Sequence, residues 1–268
     1  MAEEQWRGTL YPARLPSFHR LPPPEALQEA VRWFWIPEWE LAPGRVSRQE
    51  ILPFPALNLV VQRGGVTLSG PATRRSFRDL SGTGWAVGML LRPAAVPVFT
   101  ADPGSLRDRE IPVEAPGLDA AVAAAMQGGG RSRREAAAAA AGEWLARRLP
   151  APAGADGALA NRLEELIQAD PSLTRVDQAA AQLGVSVRTL QRLARRHVGL
   201  PPLAMIRRYR LQEAAERLRL DPETPIADIA AELGYADHAH LAADFREVLG
   251  FTPSGYRRSA ADSPHATD

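Results

Sequence analysis

Hydrophobic and polar positions follow one period in the first part of the chain and a different period in the rest. Residues 1–117 hold short apolar runs between glycine- and proline-rich turn signals, a pattern typical of strands. The predicted strands are 51–52, 57–62, 66–69 and 86–91. From residue 118 onward, apolar residues recur at three- and four-residue intervals among strong helix formers. The pattern therefore predicts a multi-domain α+β protein with a mainly-β N-terminal part and an all-α C-terminal part.

The same pattern sets the predicted domain bounds. The β-rich domain takes residues 1–148 and ends in helices at 118–148. Residues 149–158 hold two prolines and two glycines, which indicates a linker. Residues 159–258 read as helical throughout, and the small, polar residues 259–268 read as a flexible tail.

Composition narrows the class of protein. The chain has no cysteine, which excludes disulfides, thiolate metal sites and cysteine nucleophiles. No apolar stretch approaches the ~18 residues of a membrane span, so we expect a soluble, cytoplasmic protein with no membrane partner. His19 is the only histidine before the predicted linker, too few for a metal-dependent β-barrel enzyme. We expect no metal, no cofactor and no enzymatic activity.

One pattern occurs twice in the last hundred residues. Residues 176–184 (VDQAAAQLG) align with residues 226–234 (IADIAAELG) at an offset of 50. One extra residue enters the second copy, after which Leu190 aligns with Leu241 at an offset of 51. Each copy predicts a short helix, a tight turn and a second helix, which is the helix-turn-helix plan. The predicted units span ~174–199 and ~224–250.

The residue types at the turns suit this plan. Gly184 and Gly234 stand where the chain leaves the first helix of each unit, a position that favours left-handed backbone. Ser186 and Asp237 can cap the second helix of each unit. Residues 203–220 predict one long joining helix of ~26 Å, which could set two recognition helices toward major-groove segments ~34 Å apart. The alternative is two ordinary helical hairpins in an all-α domain.

The end of the chain resembles the C-terminal signature of AraC/XylS-type regulators. The segments that carry the resemblance are Gly234-Tyr-Ala-Asp-His-Ala-His-Leu-Ala-Ala-Asp-Phe-Arg and Gly250-Phe-Thr-Pro-Ser-Gly-Tyr256. The resemblance covers residues 159–256. It implies a bacterial transcription regulator, activator or repressor, whose two helix-turn-helix units read adjacent major-groove segments of double-stranded DNA.

Charge is distributed unevenly between the two units. Residues 178–212 hold seven arginines and no acidic residue, whereas residues 226–258 hold three arginines and five acidic residues, a net charge of −2. We therefore expect phosphate attraction to centre on the first unit.

The first recognition helix carries a set of residues suited to reading bases. Arg188, Gln191 and Arg192 lie at i, i+3 and i+4, on one face, and their side chains can bond guanine and adenine bidentately. The resemblance assigns base contacts to matching positions. The remaining members of this predicted DNA-binding set are Thr189 and the phosphate candidates Arg195 and Arg196. The alternative is a solvated basic face.

The second recognition helix departs from the family pattern. It places Ala242 and Ala243 where the first unit has a glutamine and an arginine. Its polar candidates for DNA contact are His238, His240 and Arg246. We expect this unit to contribute shape contacts and weak base readout. The alternative for His240 is that its ring has a structural role and contacts no base.

The N-terminal half offers a looser resemblance. Segments 51–61, 68–73 and 87–93 resemble the β-domain of one subgroup of these regulators, although residues 54–57 depart from it. The implied fold is a small cupin-like barrel that senses a ligand or forms a dimer. Candidate effector-binding residues are Trp33, Trp35, Asn58 and Arg92. Alternatively, the two tryptophans pack one face of a strand and the arginine is structural.

Three functional hypotheses follow. The first is a sequence-specific regulator controlled by a small-molecule effector or by homodimerisation, with RNA polymerase as a partner and the nucleoid as its location when bound. The second is a constitutive DNA-binding regulator whose N-terminal half only dimerises or contacts proteins. The third, an enzyme with a DNA-binding appendage such as an alkyl-transfer repair protein, is disfavoured because those proteins use reactive cysteines.

Overall fold

The computed structural model describes residues 17–51, 53–150 and 154–261. The strands are β1 (Ser17–Leu21), β2 (Val31–Glu40), β3 (Val46–Ile51), β4 (Asn58–Gln62), β5 (Gly65–Ser69), β6 (Ser76–Ser81), β7 (Thr83–Leu91) and β8 (Glu110–Pro112). The helices are α1 (Leu118–Ala125), α2 (Gly130–Ala146), α3 (Ala155–Ala169), α4 (Val176–Leu183), α5 (Val187–His197), α6 (Pro202–Leu220), α7 (Ile226–Glu232), α8 (His238–Leu249) and α9 (Pro253–Ala261). We call the elements from β1 to α2 the sheet domain and those from α3 to α9 the helical domain.

The sheet domain is built on a six-stranded antiparallel sheet in the order β1-β2-β7-β4-β5-β8, with β3 and β6 forming a separate two-stranded ladder. Side chains alternate across a strand, so Phe34 and Ile36 of β2 share one face, and both are buried. That face packs on α1 and α2 through residues such as Val122 and Leu145, and this contact forms the first core.

The predicted α+β architecture is confirmed, with a β-rich part followed by helices. The four predicted strands fall in β3, β4, β5 and β7, although position 52 lies outside the described residues. The pattern did not predict β1, β6 and β8, and it indicated β2 (Val31–Glu40) only through the alternative in which Trp33 and Trp35 pack one face of a strand. β6 is exposed at five of its six positions, so it carries no alternation to detect. The finer cupin-like description stays a prediction.

The domain bounds differ from the prediction in two places. Helix α3 begins at Ala155, inside the segment 149–158 predicted as a linker. Helix α9 continues to Ala261, so the start of the predicted tail 259–268 is helical. Residues 1–16, 151–153 and 262–268, which the predicted domain, linker and tail include, lie outside the described residues.

Both predicted helix-turn-helix units are present, as α4–α5 and α7–α8 joined by α6. Gly184 and Gly234 both adopt a left-handed backbone with φ of 68°. The Ser186 hydroxyl accepts a hydrogen bond from the Thr189 amide at 3.1 Å, and the Asp237 carboxylate accepts one from the His240 amide at 2.7 Å. These caps fix where each recognition helix begins.

A second core joins the two domains. It contains Phe54 and Leu90 of the sheet domain together with Leu190 of α5 and Tyr209 of α6. The Phe54 ring meets Trp33 edge-on at a centroid distance of 5.7 Å and Tyr209 at 5.7 Å. The first helix-turn-helix unit therefore shares its core with the sheet domain. The second unit has a core of its own, which includes Phe245.

Buried polar groups add specific contacts between the domains. The Asn161 amide of α3 accepts a hydrogen bond from the Ala94 amide at 2.9 Å and donates to the Glu29 carbonyl at 2.9 Å. The buried His197 ring donates from Nδ1 to the Pro93 carbonyl at 2.9 Å. These pairings satisfy groups that would otherwise be costly to bury, and they fix how α3 and α5 lie against the sheet domain.

Candidate nucleic-acid interface

Helix α5 presents a basic, exposed face opposite its buried face. Leu190, Leu193 and Ala194 are fully buried in the shared core. Arg188 and Gln191 are exposed, and so are the remaining basic residues of the predicted face, Arg192, Arg195 and Arg196. Thr189 is half-buried, and its hydroxyl lies 2.9 Å from that of Ser186, so it takes part in the cap. The structure thus brings the predicted first-unit residues together on one helix.

Arg192 has a partner that the sequence did not indicate. Its Nη1 and Nη2 atoms lie 2.6 and 3.1 Å from the two carboxylate oxygens of Asp156, at the start of α3. The hydrogen bond from Arg192 lowers the pKa of Asp156, and the same bond raises the pKa of Arg192. Any base or phosphate that binds Arg192 through these donors must displace Asp156.

The surroundings of the other three arginines of this face differ from those of Arg192. Within the described residues, no carboxylate lies within ion-pair distance (4.0 Å) of Arg188, Arg195 or Arg196. Their guanidinium groups therefore remain available to an external anion.

Two arginines of α6, Arg207 and Arg210, do not extend this basic face. Arg207 bonds Asp244 of α8 at 2.6 Å and Glu247 at 3.1 Å, which ties the joining helix to the second recognition helix. Arg210 is buried, donates to the Leu233 carbonyl at 2.7 Å and lies over the Tyr235 ring at 4.0 Å. The net charge counted along the sequence thus overstates the charge that the first unit presents to solvent.

The second recognition helix, α8, exposes fewer polar groups. His238, His240 and Arg246 are exposed, and Ala243 is exposed between them. The His240 ring also stands edge-on against Tyr235, with centroids 5.1 Å apart. This contact fits the structural alternative for His240, and it leaves the predicted DNA contact untested.

The four predicted effector-binding residues are engaged with other parts of the protein. Trp35 donates from Nε1 to the Asn58 side-chain oxygen at 2.9 Å, while Trp33 packs on Phe54. Arg92 donates to the Gln28 carbonyl at 3.0 Å and pairs with the carboxylates of Glu164 and Glu165 in α3. These contacts describe packing and domain docking, and the assignment of an effector to these residues stays a prediction.

Two clefts lie away from the predicted effector-binding residues. One, of about 840 Å³, is at the end of the sheet beside α1 and α2, and its wall includes Trp39, Trp85, Arg133 and Arg134. Both arginines pair with Glu38. The other cleft, of about 610 Å³, lies between the sheet domain and the end of α5. None of the four predicted effector residues lines either cleft.

Among the residues that the structure describes, no cluster of three or more His, Asp or Glu side chains could hold a metal ion, and no helix is both long and apolar enough to cross a membrane.

A buried carboxylate sits where the two domains meet. Glu164 of α3 accepts a hydrogen bond from Tyr209 at 3.1 Å and lies 3.6 Å from Arg32 and 3.8 Å from Arg92. Burial raises the pKa of Glu164, while the nearby arginines and the Tyr209 hydroxyl oppose that rise. No local sequence pattern indicates this buried carboxylate, because its partners are far apart along the chain.

The raised pKa of Glu164 predicts a pH dependence of stability. The folded protein keeps the Glu164 proton at pH values where the unfolded chain, with a pKa of ~4.3, has lost it. The wild-type free energy of unfolding should therefore fall, relative to that of Glu164→Gln, as pH rises from ~4.3 through the folded-state pKa. Urea unfolding of both proteins over a pH series measures this difference. Glu165→Gln is the control for removing a carboxylate beside Arg92. The prediction is contradicted if the difference in the free energy of unfolding between wild type and Glu164→Gln is independent of pH.

Comparisons with known families match two separate parts of the chain. The family described as "Helix-turn-helix domain" matches residues 179–259. A family described as "Domain of unknown function (DUF6597)" matches residues 19–112, most of the sheet domain.

Curated relatives match part of the chain. The chain is 34% identical over 82 residues to "HTH-type transcriptional activator RhaS" of Klebsiella pneumoniae, which is 31% of this chain and 29% of that protein. It is 33% identical over 104 residues to a "Putative AraC-like transcription regulator" of Streptomyces antibioticus, which is 39% of this chain and 34% of that protein. The matches thus span about a third of the length of these relatives.

Solved structures give weaker likenesses. The C-terminal domain of AraT, a response regulator from Geobacillus stearothermophilus, is 28% identical with a TM-score of 0.37, covering 41% of this chain and 91% of that one. Apo ToxT K231A from Vibrio cholerae is 10% identical with a TM-score of 0.47, covering 89% of this chain and 99% of that one.

Proposed function

We propose that this protein is a sequence-specific DNA-binding transcription regulator, because its helical domain belongs to the AraC/XylS family of helix-turn-helix regulators. The observation that carries the proposal is the face of α5. A capped recognition helix buries its apolar side in the core and exposes Arg188, Gln191, Arg192 and Arg195 along the other. Arginine and glutamine are the side chains best suited to guanine and adenine edges in the major groove.

The two units would divide the work unequally. The first supplies base readout through Arg188, Gln191 and Arg192, and phosphate contacts through Arg195 and Arg196. The second, with His238, His240 and Arg246, supplies shape contacts and weaker readout. This division follows from the small side chains on the exposed part of α8 and from the ion pairs that occupy Arg207.

Control through the sheet domain is the finer part of the proposal. A small-molecule effector would bind this domain, or two copies would associate through it, and RNA polymerase would be the partner in transcription. The cleft beside α1 and α2 has a volume in the range of small-molecule sites and offers both aromatic and charged walls. We further propose that the protein acts in the cytoplasm on the nucleoid and has no enzymatic activity.

A constitutive regulator is the second candidate. The observation that favours it is that all four predicted effector residues already contact other protein groups. In this version the sheet domain would only dimerise or contact protein partners.

Selection from a random DNA pool tests the central proposal. We expect the full-length protein to enrich a site with two conserved segments about one helical turn apart, with stronger conservation in one segment. His240→Ala is expected to leave the stronger segment unchanged. If no sequence is enriched even at low salt, where phosphate attraction is greatest, the sequence-specific regulator is contradicted.

A further inference from the structure

The cleft between the two domains lies beside the proposed DNA-reading face. It is formed by the turn of residues 102–107 in the sheet domain and by the junction of α5 and α6, and its volume is about 610 Å³. Gln191 and Arg195 of the recognition helix line one wall, and Ser105 and Arg107 line the other. A strand of DNA that follows the exposed face of α5 would pass over this opening.

The sheet-domain wall of the cleft is held firmly against the recognition helix. Arg107 donates from Nη2 to the carbonyl of Gly199, two residues after the end of α5, at 3.1 Å. Gly199 has a φ of +82°, and a Cβ there would lie 2.5 Å from the carbonyl carbon of Pro103. The two backbones are therefore in direct contact, and the turn cannot shift without moving the end of α5.

The charges in the cleft favour an anion. Arg107 and Arg195 bring two guanidinium groups against one carboxylate, that of Asp102. The bond to Gly199 uses only part of Arg107, because a guanidinium carries five N–H donors. The 19-residue helix α6 also begins here, at Pro202, so the positive end of its dipole adds to the same field.

We propose that a DNA backbone phosphate binds in this cleft, held by Arg107 from the sheet domain and Arg195 from α5. The inference rests on the proposed function, and it extends the DNA surface beyond the helix-turn-helix units. DNA is the occupant that the position favours, because Gln191 belongs both to the cleft wall and to the base-reading face. The sheet domain then contributes directly to affinity, and this contribution carries no sequence information.

Salt dependence of DNA binding tests the proposal. Full-length wild type, Arg107→Gln and Arg109→Gln are titrated by fluorescence anisotropy against a selected duplex and a random duplex, from about 50 to 200 mM salt. Arg107→Gln is expected to weaken binding to both duplexes by similar factors and to reduce the slope of log K against log salt by about one. Arg109, two residues further along the same segment, is exposed and does not line the cleft, so Arg109→Gln should keep the wild-type slope.

The outcomes separate this inference from the function on which it rests. A wild-type protein that binds neither duplex contradicts the proposed function. A wild type that binds, with Arg107→Gln showing the same slope, overturns only the phosphate site. A loss confined to the selected duplex also overturns it, since that result would assign base readout to Arg107. Arg107→Lys restores the slope if charge is what matters, and the melting temperature of each variant checks that it is folded.

Discussion

Arg192→Ala is expected to relax recognition at one base pair of the selected site, with discrimination there falling by roughly 5- to 150-fold. Arg192 lies one turn into α5 on the exposed face, next to Gln191. A bidentate arginine contact reports on one base pair, so the other positions of the site should keep their preferences. Selection from a random pool with the variant, compared with wild type, measures the change position by position. An unchanged profile at every position would remove Arg192 from the base-reading set.

Asp156 is expected to compete with DNA for Arg192. Its carboxylate holds the two terminal nitrogens of Arg192, and both groups are exposed, so the pair gains little in water. Asp156→Asn keeps the size of the side chain and removes its charge. We expect this variant to bind the selected duplex about 1.5- to 5-fold more tightly at low salt, because the competing ion pair is weakened.

A matched variant separates this competition from a general charge effect. Arg48 and Asp79 form another exposed two-point ion pair, on the ladder of β3 and β6 and away from α5. Asp79→Asn changes the net charge by the same amount and is expected to leave the affinity nearly unchanged. Weaker binding by Asp156→Asn would mean that Asp156 positions Arg192 for DNA and does not compete with it.

Phe54→Ala is expected to lower the free energy of unfolding by about 3–5 kcal/mol. Phe54 is 9% exposed, and its ring lies between Trp33 of the sheet domain and Tyr209 of the helical domain. Its removal leaves a cavity where the two domains share one core, and both aromatic contacts are lost. Urea unfolding followed by tryptophan fluorescence and by far-ultraviolet circular dichroism measures the effect on both domains.

The shared core also predicts how the tryptophan fluorescence and the circular dichroism change during unfolding. In wild type they should change together, because the sheet domain and the first unit unfold as one cooperative body. In Phe54→Ala they should separate. Phe77→Ala removes a phenylalanine that is 45% exposed on β6 and should cost about 1 kcal/mol or less. A similarly small effect of Phe54→Ala would mean that the domains are stable independently of each other.

Much of the helical domain could be predicted from local sequence. The left-handed turns at Gly184 and Gly234 and the caps at Ser186 and Asp237 lie where the repeat placed them. Each of these features involves residues fewer than five positions apart. The chemistry that selects a glycine or a capping side chain is therefore visible in the sequence itself.

The candidate site was only partly predictable. The exposed side of α5 follows from helical spacing, but the partner of Arg192 does not. Asp156 stands 36 positions away, in a segment whose prolines and glycines indicated a linker. The same limit applies to Arg92, a candidate effector-binding residue in the sequence, because its partners in the structure are carboxylates of α3 that lie more than 70 positions away.

The sequence by itself determined the two helix-turn-helix units, the basic face of the first recognition helix and the division into a β-rich part and a helical part. Only the tertiary structure decided that Trp33 packs through Phe54 onto Tyr209, that Glu164 is buried where the domains meet, and that Arg107 stands beside α5. The physical reason is range. Periodicity and capping act within one or two turns of chain, whereas strand order and domain docking are settled by the burial of surfaces whose residues lie far apart along it.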